Sequence, residues 1–502
     1  MSKRDRISCC LFFIITSFIF LLIASRSSFV YVFNNWDDVN SYFSVGKGIF
    51  NGKVPYRDIF DQKGFYLYFI YGVAYLISHT TFLGVYLIEV FFGALDILGI
   101  YNIVRQFASR RSSLLVSPFA FASIVASRSF WWGGSAEELC LPFYIWGLYF
   151  LVDYFENDYP KRPIGKKRLL LAGIFAGIIA NVKFTGLGFF FAWMMIVFFA
   201  IVISEDFAAG IRACAWFLFG MFVPFIPGII YFGVNGALYD WYWGYVYVNV
   251  FVYNKLETEH LGLLGKIYQL LKILYWLIID NWQYFVFIIL GMFYVFFKRG
   301  QKLLARIYAP VLFLFMFLGI FIGGRELPYY SLPLSAFSSL GVVVLAKAID
   351  VLGKYETRGF GNVGLPSICL MISIIFIAIN SMNVSFMGQS SEDYFLYRFR
   401  DEVLQTEDAT LLNVGCLDAG LYTLCDIVPG CRWFQTQTLD IDEEGNNPYA
   451  EQERYVREGL VDYVLVRDTV PASIDDHYAL IDSEVYGWGD YEFNYYLYQK
   501  VR

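Results

Sequence analysis

The stretch that decides the fold is WDDVNSYFSVGKGIFNGKVPYRDIFDQKGFYLYFIYGVAYL, which runs from Trp36 to Leu76. It comes shortly after an uncharged run, Ile7 to Ser25, that is long enough to cross a membrane, because a span needs about 20 mostly apolar residues. Residues 34–64 nevertheless hold four aspartates and four lysine or arginine residues. A charged segment directly after a span is typical of a loop outside the bilayer.

The composition as a whole is that of a membrane protein. Of the 502 residues, 58% are hydrophobic and 16% are charged, whereas soluble domains carry about 25% charged residues. The sequence predicts an α-helical polytopic membrane protein with about 11 transmembrane helices. The net charge of −6 lies mostly in the C-terminal tail, so nucleic acid is not expected as a partner. The longer uncharged runs after the first are Ser112–Ser127, Phe184–Ser204, Ala213–Tyr239, Asn281–Phe297, Ile307–Gly324, Leu327–Ala346 and Gly359–Ser391.

Basic clusters predict the orientation, because short cytoplasmic loops carry an excess of lysine and arginine. With these clusters inside, the N-terminus is cytoplasmic and the C-terminal domain is extracytoplasmic, in a multi-pass protein of the cell membrane. The outer segments then include the first loop, 28–81, and the stretch 234–270. The clusters are Lys3–Arg6, Arg105–Arg111, Lys161–Arg168, Lys298–Arg306 and Lys347–Arg358.

Two domains are predicted, a membrane domain over 1–387 and a soluble α/β domain over 388–502. In the first loop, apolar residues at helical spacing from Val39 to Phe50 predict a helix lying on the membrane surface, and 65–78 predicts a second interfacial or re-entrant helix. In the tail we expect strands over 409–415, 461–468 and 491–501 and a helix over 451–460. Cys416, Cys425 and Cys431 could form one disulfide, but their pairing is not readable.

Asp37 and Asp38 open the predicted surface helix. Aspartate is a favoured N-cap, worth about 1 kcal/mol, and one interpretation is that Asp38 only caps this helix. A cap does not explain the second acid. Adjacent carboxylates at a cleft can serve as a general base and its electrostatic neighbour, or bind a divalent cation.

Two further groups of residues in the predicted outer segments each allow two interpretations. Arg57, Asp58, Asp61 and Lys63 follow Pro55; they form either an ion network in a surface loop or a contact to phosphate through Arg57 or Lys63. Glu137 and Glu138 follow Trp131 and Trp132. Acids beside aromatic rings suit a sugar site, while the alternative is an interfacial aromatic belt with a solvated helix cap.

Two cations stand at outer membrane turns. Lys183 lies between two apolar runs and Arg325 precedes Glu326, Tyr329 and Tyr330. Lys183 could simply extend to the interface, and Arg325 could pair with Glu326 in the turn. Alternatively, both hold a lipid phosphate, for which the forked arginine side chain is well suited.

The segment 36–76 resembles the first outer loop of GT-C membrane glycosyltransferases, in the bacterial branch related to protein O-mannosyltransferases and lipid A aminoarabinose transferases. AGIIANVKFTG (176–186) and GGRELPYYSLPL (323–334) are similar to later motifs of that family. The resemblance implies a GT-C-like fold and a bacterial enzyme that moves a sugar from a polyprenyl-phosphate donor to an extracytoplasmic glycan, lipid or protein, with inversion.

The resemblance also implies roles for individual residues. It makes Asp37 the catalytic base, with Asp38 as its neighbour or substitute. It assigns the donor phosphate to Lys183 and Arg325, with Lys63 and Arg57 as further candidates. Some GT-C enzymes need a divalent cation, so Mg²⁺ or Mn²⁺ stays open as a cofactor. Sugar, acceptor or metal contacts are expected from Glu137, Glu138, Asp58, Asp61, Trp131, Tyr329 and Tyr330.

Two other functions stay open. A transporter or flippase of lipid-linked sugars could use Glu89 and Asp96, acids within a predicted span, as coupling groups. A polymerase or ligase of surface polysaccharide would share the lipid substrate. Sugar transfer from a labelled donor, as against movement of the lipid across a vesicle, separates enzyme from transporter.

Overall fold

The computed structural model describes residues 3–252, 261–352, 364–439, 441, 446–488 and 491–501. The chain is mainly helical, with a small sheet near the C-terminus. Part of the predicted outer segment 234–270 lies outside the described residues. The helices are α1 Lys3–Ala24, α2 Asp37–Phe50, α3 Phe65–Ile77, α4 Leu83–Val104, α5 Arg110–Val125, α6 Ala136–Asn157, α7 Lys166–Ala180, α8 Leu187–Ser204, α9 Phe207–Phe222, α10 Phe225–Val234, α11 Leu238–Trp241, α12 Leu263–Asp280, α13 Trp282–Phe296, α14 Leu303–Phe321, α15 Ser338–Leu352, α16 Gly364–Asn380, α17 Phe395–Val403, α18 Leu421–Leu424 and α19 Pro448–Arg457.

Several of these helices suit a membrane. Within the described residues, five helical segments are long and apolar enough to cross a bilayer, or up to seven if two bent helix pairs each count as one span. The predicted polytopic, mainly helical class is therefore confirmed. The predicted number of about 11 spans stays a prediction, because several apolar runs form shorter or bent helices.

Packing divides the chain into two compact units. The first contains 1–28, 86–227 and 256–385, and the second contains 29–85, 228–255 and 386–502. The tail begins close to the predicted boundary at 387/388. Packing, however, groups the tail with the first outer loop, which the sequence had placed in the membrane domain.

The first unit is a bundle of the long apolar helices. Its most extensive helix pairs are α7 with α9, α13 with α15, and α8 with α14. A buried 3₁₀ segment, Pro328–Phe337, packs against α6. This segment holds the predicted site residues Tyr329 and Tyr330, and the turn before α8 holds Lys183.

In the second unit, α2 crosses α3 at close range. A Cβ atom on Gly46 would lie 2.5 Å from the backbone nitrogen of Gly72 and 2.7 Å from the carbonyl oxygen of Tyr68. Tyr42 and Tyr71 pack edge to face across the same crossing, with ring centroids 5.5 Å apart. Glycine at position 46 therefore allows the two helix backbones to touch.

Two expectations about α2 are wrong. The helix begins at Asp37, and its N-cap is Trp36, which makes no side-chain cap bond; Asp38 is thus inside the first turn, where a carboxylate interacts favourably with the helix dipole. The helix also does not present its apolar face to a membrane, because residues 39–48 are buried by the protein on all sides. The exposed apolar stripe lies on α3 instead, at Phe69, Val73, Leu76 and Ile77.

The tail folds as the predicted α/β domain, with one strand more. Its strands are β1 Leu411–Val414, β2 Tyr463–Arg467, β3 Tyr478–Trp488 and β4 Tyr491–Lys500, in the sheet order β1-β2-β4-β3. β1 and β2 are parallel and the other pairs are antiparallel. The long strand β3 was not predicted because its sequence, YALIDSEVYGW, mixes acids and glycine into the apolar pattern.

Buried polar contacts join α2 to the tail. The Nζ atom of Lys47, a fully buried side chain, donates to the carbonyl oxygen of Tyr422 at 2.7 Å and lies 3.1 Å from Asp426 Oδ1. Ser44 donates to Asp418 Oδ2 at 2.5 Å. Burial raises the pKa of Asp418 to about 6. These polar contacts explain why the hydrophilic face of α2 is buried.

Candidate active site

In the first unit, four of the predicted site residues lie together. Lys183 is at the turn before α8 and pairs with the carboxylate of Glu137 at the start of α6. Its Nζ atom lies 3.5 Å from the ring centroid of Tyr330 and 5.6 Å from that of Tyr329. Only 16% of the lysine side chain is exposed. A cation held in this way by one acid and two rings is placed by packing rather than free at the interface.

A small pocket adjoins Lys183. Its walls also include Glu137, Cys140, Tyr144 and Thr185. Glu137 Oε2 is buried and makes no hydrogen bond to any described residue. The cluster thus offers a charged amine and an acceptor oxygen at a single point of the first unit.

Glu138 does not share this cluster with Glu137. The side chain of Ser135 caps α6 by accepting from the backbone N–H of Glu138 at 3.0 Å, and Glu138 Oε2 accepts from the N–H of Gly134 at 2.8 Å. Glu138 also shares a hydrogen bond with Glu89, whose carboxylate accepts from Ser25 Oγ at 2.9 Å. Successive residues of a helix point in directions about 100° apart, which separates the two acids.

The predicted tryptophan and arginine sites have different surroundings. Trp131 stacks on Trp132 with ring centroids 5.9 Å apart, and its φ angle is +56°. A second cation, Arg26, lies over the Trp132 ring at 4.3 Å. Arg325 is partly buried in the turn before the 3₁₀ segment.

The second unit holds the predicted acids of the first loop. Asp37 Oδ2 accepts a hydrogen bond from Arg467 Nη1 at 2.9 Å. Arg467 is the last residue of β2 and lies 430 residues away in sequence. Burial raises the pKa of Asp37, although the charge of Arg467 opposes that rise.

Asp61 and Lys63 form a second group near the first turn of α2. Asp61 is buried and accepts from the Tyr68 hydroxyl at 2.8 Å, while the same hydroxyl accepts from the backbone N–H of Lys63 at 2.7 Å. Burial raises the pKa of Asp61; the charge of Lys63 lowers it and that of Asp38 raises it further. The structure therefore places Asp38, Asp61 and Lys63 within electrostatic reach of one another.

Arg57 and Asp58 belong to a separate surface network. Arg57 Nε donates to Asp58 Oδ1 at 2.8 Å, and its Nη1 donates to the carbonyl oxygen of Asn235 at 2.7 Å. Asp58 Oδ2 accepts from the N–H of Val54 at 2.7 Å. The hydrogen bond from Arg57 lowers the pKa of Asp58. This geometry is the ion network that the sequence left open as an alternative to phosphate binding.

Arg467 is one of two residues with buried polar contacts that the sequence analysis did not single out. The signal was weak, an arginine followed by an aspartate at the end of the buried strand VDYVLVRD. Lys47 was missed for a similar reason, because a lysine inside a glycine-rich helix pattern looks like a solvated residue. Both depend on contacts between distant segments.

The cysteines and the possible metal ligands add little to the candidate site. All eight cysteines, including Cys416, Cys425 and Cys431, are free. Within the described ranges, no group of three or more histidine, cysteine or acidic side chains is arranged to hold a metal ion. The described acids thus do not fit a protein-only metal site, and a requirement for Mg²⁺ or Mn²⁺ stays a prediction.

The chain is similar to known proteins in its fold and not in its sequence. No protein-family model and no curated protein sequence matches the chain. The structure nevertheless shares its fold with solved structures of ArnT, which agrees with the predicted GT-C-like fold.

The similarity extends over nearly the whole chain. ArnT from Cupriavidus metallidurans, solved in complex with undecaprenyl phosphate, aligns with a TM-score of 0.64 at 11% sequence identity, over 99% of this chain and 98% of that one. The apo form of ArnT aligns with a TM-score of 0.63 at 11% identity, over 96% of each chain. The chain therefore has the fold of ArnT.

Proposed function

We propose that this protein is an inverting glycosyltransferase that moves a sugar from a polyprenyl-phosphate donor to a hydroxyl of an extracytoplasmic acceptor. The observation that carries the proposal is the acid pair at the start of α2, with Asp37 held by Arg467, in a chain with the fold of ArnT. The fold alone supports many chemistries, so the proposal depends on the acids.

Asp37 is the proposed general base. It takes the proton of the acceptor hydroxyl as the hydroxyl oxygen bonds to the anomeric carbon of the sugar. The bond between that carbon and the phosphate oxygen breaks, and polyprenyl phosphate leaves with the electron pair. A base with a raised pKa is closer to working pH and therefore transfers protons more efficiently. Burial raises the pKa of Asp37 in this way.

The leaving phosphate needs positive charge, since stabilising a developing anion is often the largest contribution to catalysis. Lys183, Arg325 and Lys63 are the proposed phosphate contacts. Lys183 already faces a carboxylate and two tyrosine rings. Arg57 is a weaker candidate, because Asp58 and Asn235 occupy its guanidinium group.

The test is transfer by the purified protein in detergent or nanodiscs, with a panel of labelled polyprenyl-phosphate sugars and release of polyprenyl phosphate as readout. We expect D37N to lower the transfer rate about 100- to 10,000-fold, the range of general base catalysis. D38N decides whether the neighbouring acid is a base in its own right or only adjusts the charge.

The matched control is D482N, because Asp482 also pairs with an arginine, Arg398, at 2.6 Å in the same unit. D482N is expected to transfer sugar at the rate of the unmodified protein. If D37N and D38N both transfer at that rate as well, the assignment of the base is wrong.

A second function is favoured by one observation. Glu89 is completely buried in the apolar helix α4 and shares a hydrogen bond with Glu138. Paired acids inside a span can carry a proton that drives transport. If no donor is consumed, but a labelled lipid-linked sugar crosses vesicle membranes and E89Q abolishes that movement, the protein is a transporter.

A further inference from the structure

Arg467 is held in place by the sheet of the tail domain. It pairs with Tyr495 in the register of β2 and β4, and its guanidinium carbon lies 5.1 Å from the ring centroid of Phe493. Its side chain is also hydrogen-bonded to the side chain of Tyr495. The next residue, Asp468, has a φ angle of +62° and accepts from the N–H of Asn494 at 2.8 Å. These contacts fix the backbone at the end of β2 and the orientation of the Arg467 side chain.

The guanidinium group of Arg467 contacts the first turn of α2. The Nη1 atom of Arg467 lies 2.9 Å from Asp37 Oδ2, and the two side chains are 19% and 26% exposed. The hydrogen bond therefore fixes one oxygen of the Asp37 carboxylate on the arginine.

The other titratable groups that face Asp37 cannot supply positive charge. They are the acids Asp38 and Asp418, the thiol of Cys416 and the phenol of Tyr495. Arg467 is the cation among the described groups that interact with Asp37. A neighbouring cation favours the ionised form of a carboxyl group, whereas neighbouring acids and burial favour the neutral form. Without Arg467, the Asp37 carboxyl group would retain its proton to higher pH.

We propose that Arg467 is a positioning residue for the first-loop base: it orients the Asp37 carboxylate and keeps it ionised for proton transfer. The proposal rests on the function proposed above. It makes the tail domain a part of the catalytic machinery, because the base in the first loop depends on a side chain from β2. A tail that only recruits the acceptor would not need this contact.

A purely structural ion pair is the competing explanation, and the experiment must separate the two. We would measure kcat and KM for the donor across pH for the full-length protein and for the variants R467Q and R467K. The matched control is R398Q, which removes an arginine of the same unit that pairs with Asp482 of β3. Thermal unfolding of each variant shows whether the fold is intact.

We expect R467Q to lower kcat about 10- to 100-fold, the effect of a misplaced catalytic group, with KM for the donor changed less than about threefold. The acid side of its pH profile moves to higher pH, because loss of the cation raises the pKa of Asp37 and the base must be deprotonated to act. R467K restores part of the rate and moves the profile back, and R398Q changes neither.

Asp37 must mediate the effect. In the D37N background, adding R467Q therefore lowers the residual rate no further, because the effects of substituting residues that act together are not additive. If R467Q unfolds, Y495F tests the same contact more mildly and is expected to shift the profile in the same direction. A wild-type pH profile in R467Q or Y495F that folds and transfers sugar overturns the proposal. Absence of transfer by the unmodified protein overturns the proposed function instead.

Discussion

At the level of single residues, neighbours in sequence have different partners. Asp37 is paired with Arg467, while Asp38 contributes negative charge near Asp61. In the same way, Glu137 pairs with Lys183, while Glu138 accepts from the backbone N–H of Gly134. An acidic pair in a sequence is therefore not a pair of equivalent groups, and each member needs its own substitution.

The first prediction at this scale concerns Lys183. We expect K183A to raise KM for the donor and to lower kcat/KM at least about tenfold, because a hydrogen bond to a charged group contributes about 1.5–3 kcal/mol. K183R retains the charge and is expected to keep more of the activity. Steady-state transfer with varied donor concentration measures the effect.

The matched control for Lys183 is K298A. Lys298 also pairs with a partly buried glutamate, Glu156, and its Nζ atom lies 4.9 Å from the ring centroid of Phe107. It thus has the same types of contact at another position of the first unit. If K298A weakens transfer as much as K183A, the loss comes from disturbed packing and not from a lost phosphate contact.

At the level of elements, α2 shows how a helix can be predicted while its environment is missed. The spacing of Val39, Tyr42, Phe43 and Gly46 predicted the helix, and the structure confirms it over Asp37–Phe50. The same spacing is produced by a helix on a membrane and by a helix covered by protein. Contacts from α3 and from the tail make it the latter.

The second prediction tests the crossing of α2 and α3. G46A places a methyl group within 3 Å of the backbone of α3, so the helices must separate. We expect a loss of about 1–3 kcal/mol in the free energy of unfolding, typical of overpacking, seen as a lower midpoint in thermal unfolding. G430A is the control, because an added Cβ at Gly430 meets nothing within 4 Å. Equal midpoints for the two variants would contradict the close crossing.

At the level of the whole molecule, the order of segments along the chain does not match their packing. The tail and the first loop are separated by most of the apolar helices, yet they form one compact unit. Besides the contacts of Lys47 and Asp37, the backbone N–H of Phe60 donates to the carbonyl oxygen of Arg432 at 2.9 Å. The tail is therefore attached by more than its covalent link.

The third prediction follows from this attachment. A protease site inserted between Gly388 and Gln389, in an exposed stretch, allows the tail to be cut from the membrane part. We expect the cut tail to remain bound through a mild detergent wash, since buried polar and charged contacts hold it to the first loop. Co-purification on a tag at the N-terminus measures retention.

Denaturant is the control, because it must release the cut tail if the attachment is non-covalent. A double variant, K47M with D37N, is expected to retain less of the tail than the unmodified protein. Loss of the tail from the unmodified cut protein in the first mild wash would contradict the compact unit.

Local pattern was sufficient for much of the fold. Runs of apolar residues predicted the helical membrane class, and period-two and helical spacing predicted β1, β2, β4 and α19 in the tail, confirmed at 411–414, 463–467, 491–500 and 448–457. β3 was missed because acids and a glycine interrupt its apolar pattern. Its pairing with β4 is not visible in the local sequence. For the candidate site, the sequence named Lys183, Glu137, Tyr329 and Tyr330 but not the contacts among them. It also named Asp37, but not its contact with Arg467.

The sequence by itself determined which segments are apolar, where several helices and strands lie along the chain, and which charged side chains are unusual for their surroundings. These properties depend on residues that are close along the chain. Only the tertiary structure decided that Arg467 meets Asp37, that Lys47 is buried against the tail, and that Glu137 and Glu138 have separate partners. Such contacts join segments up to 430 residues apart, and no local preference specifies them, because they arise when packing excludes water from groups that must then find partners.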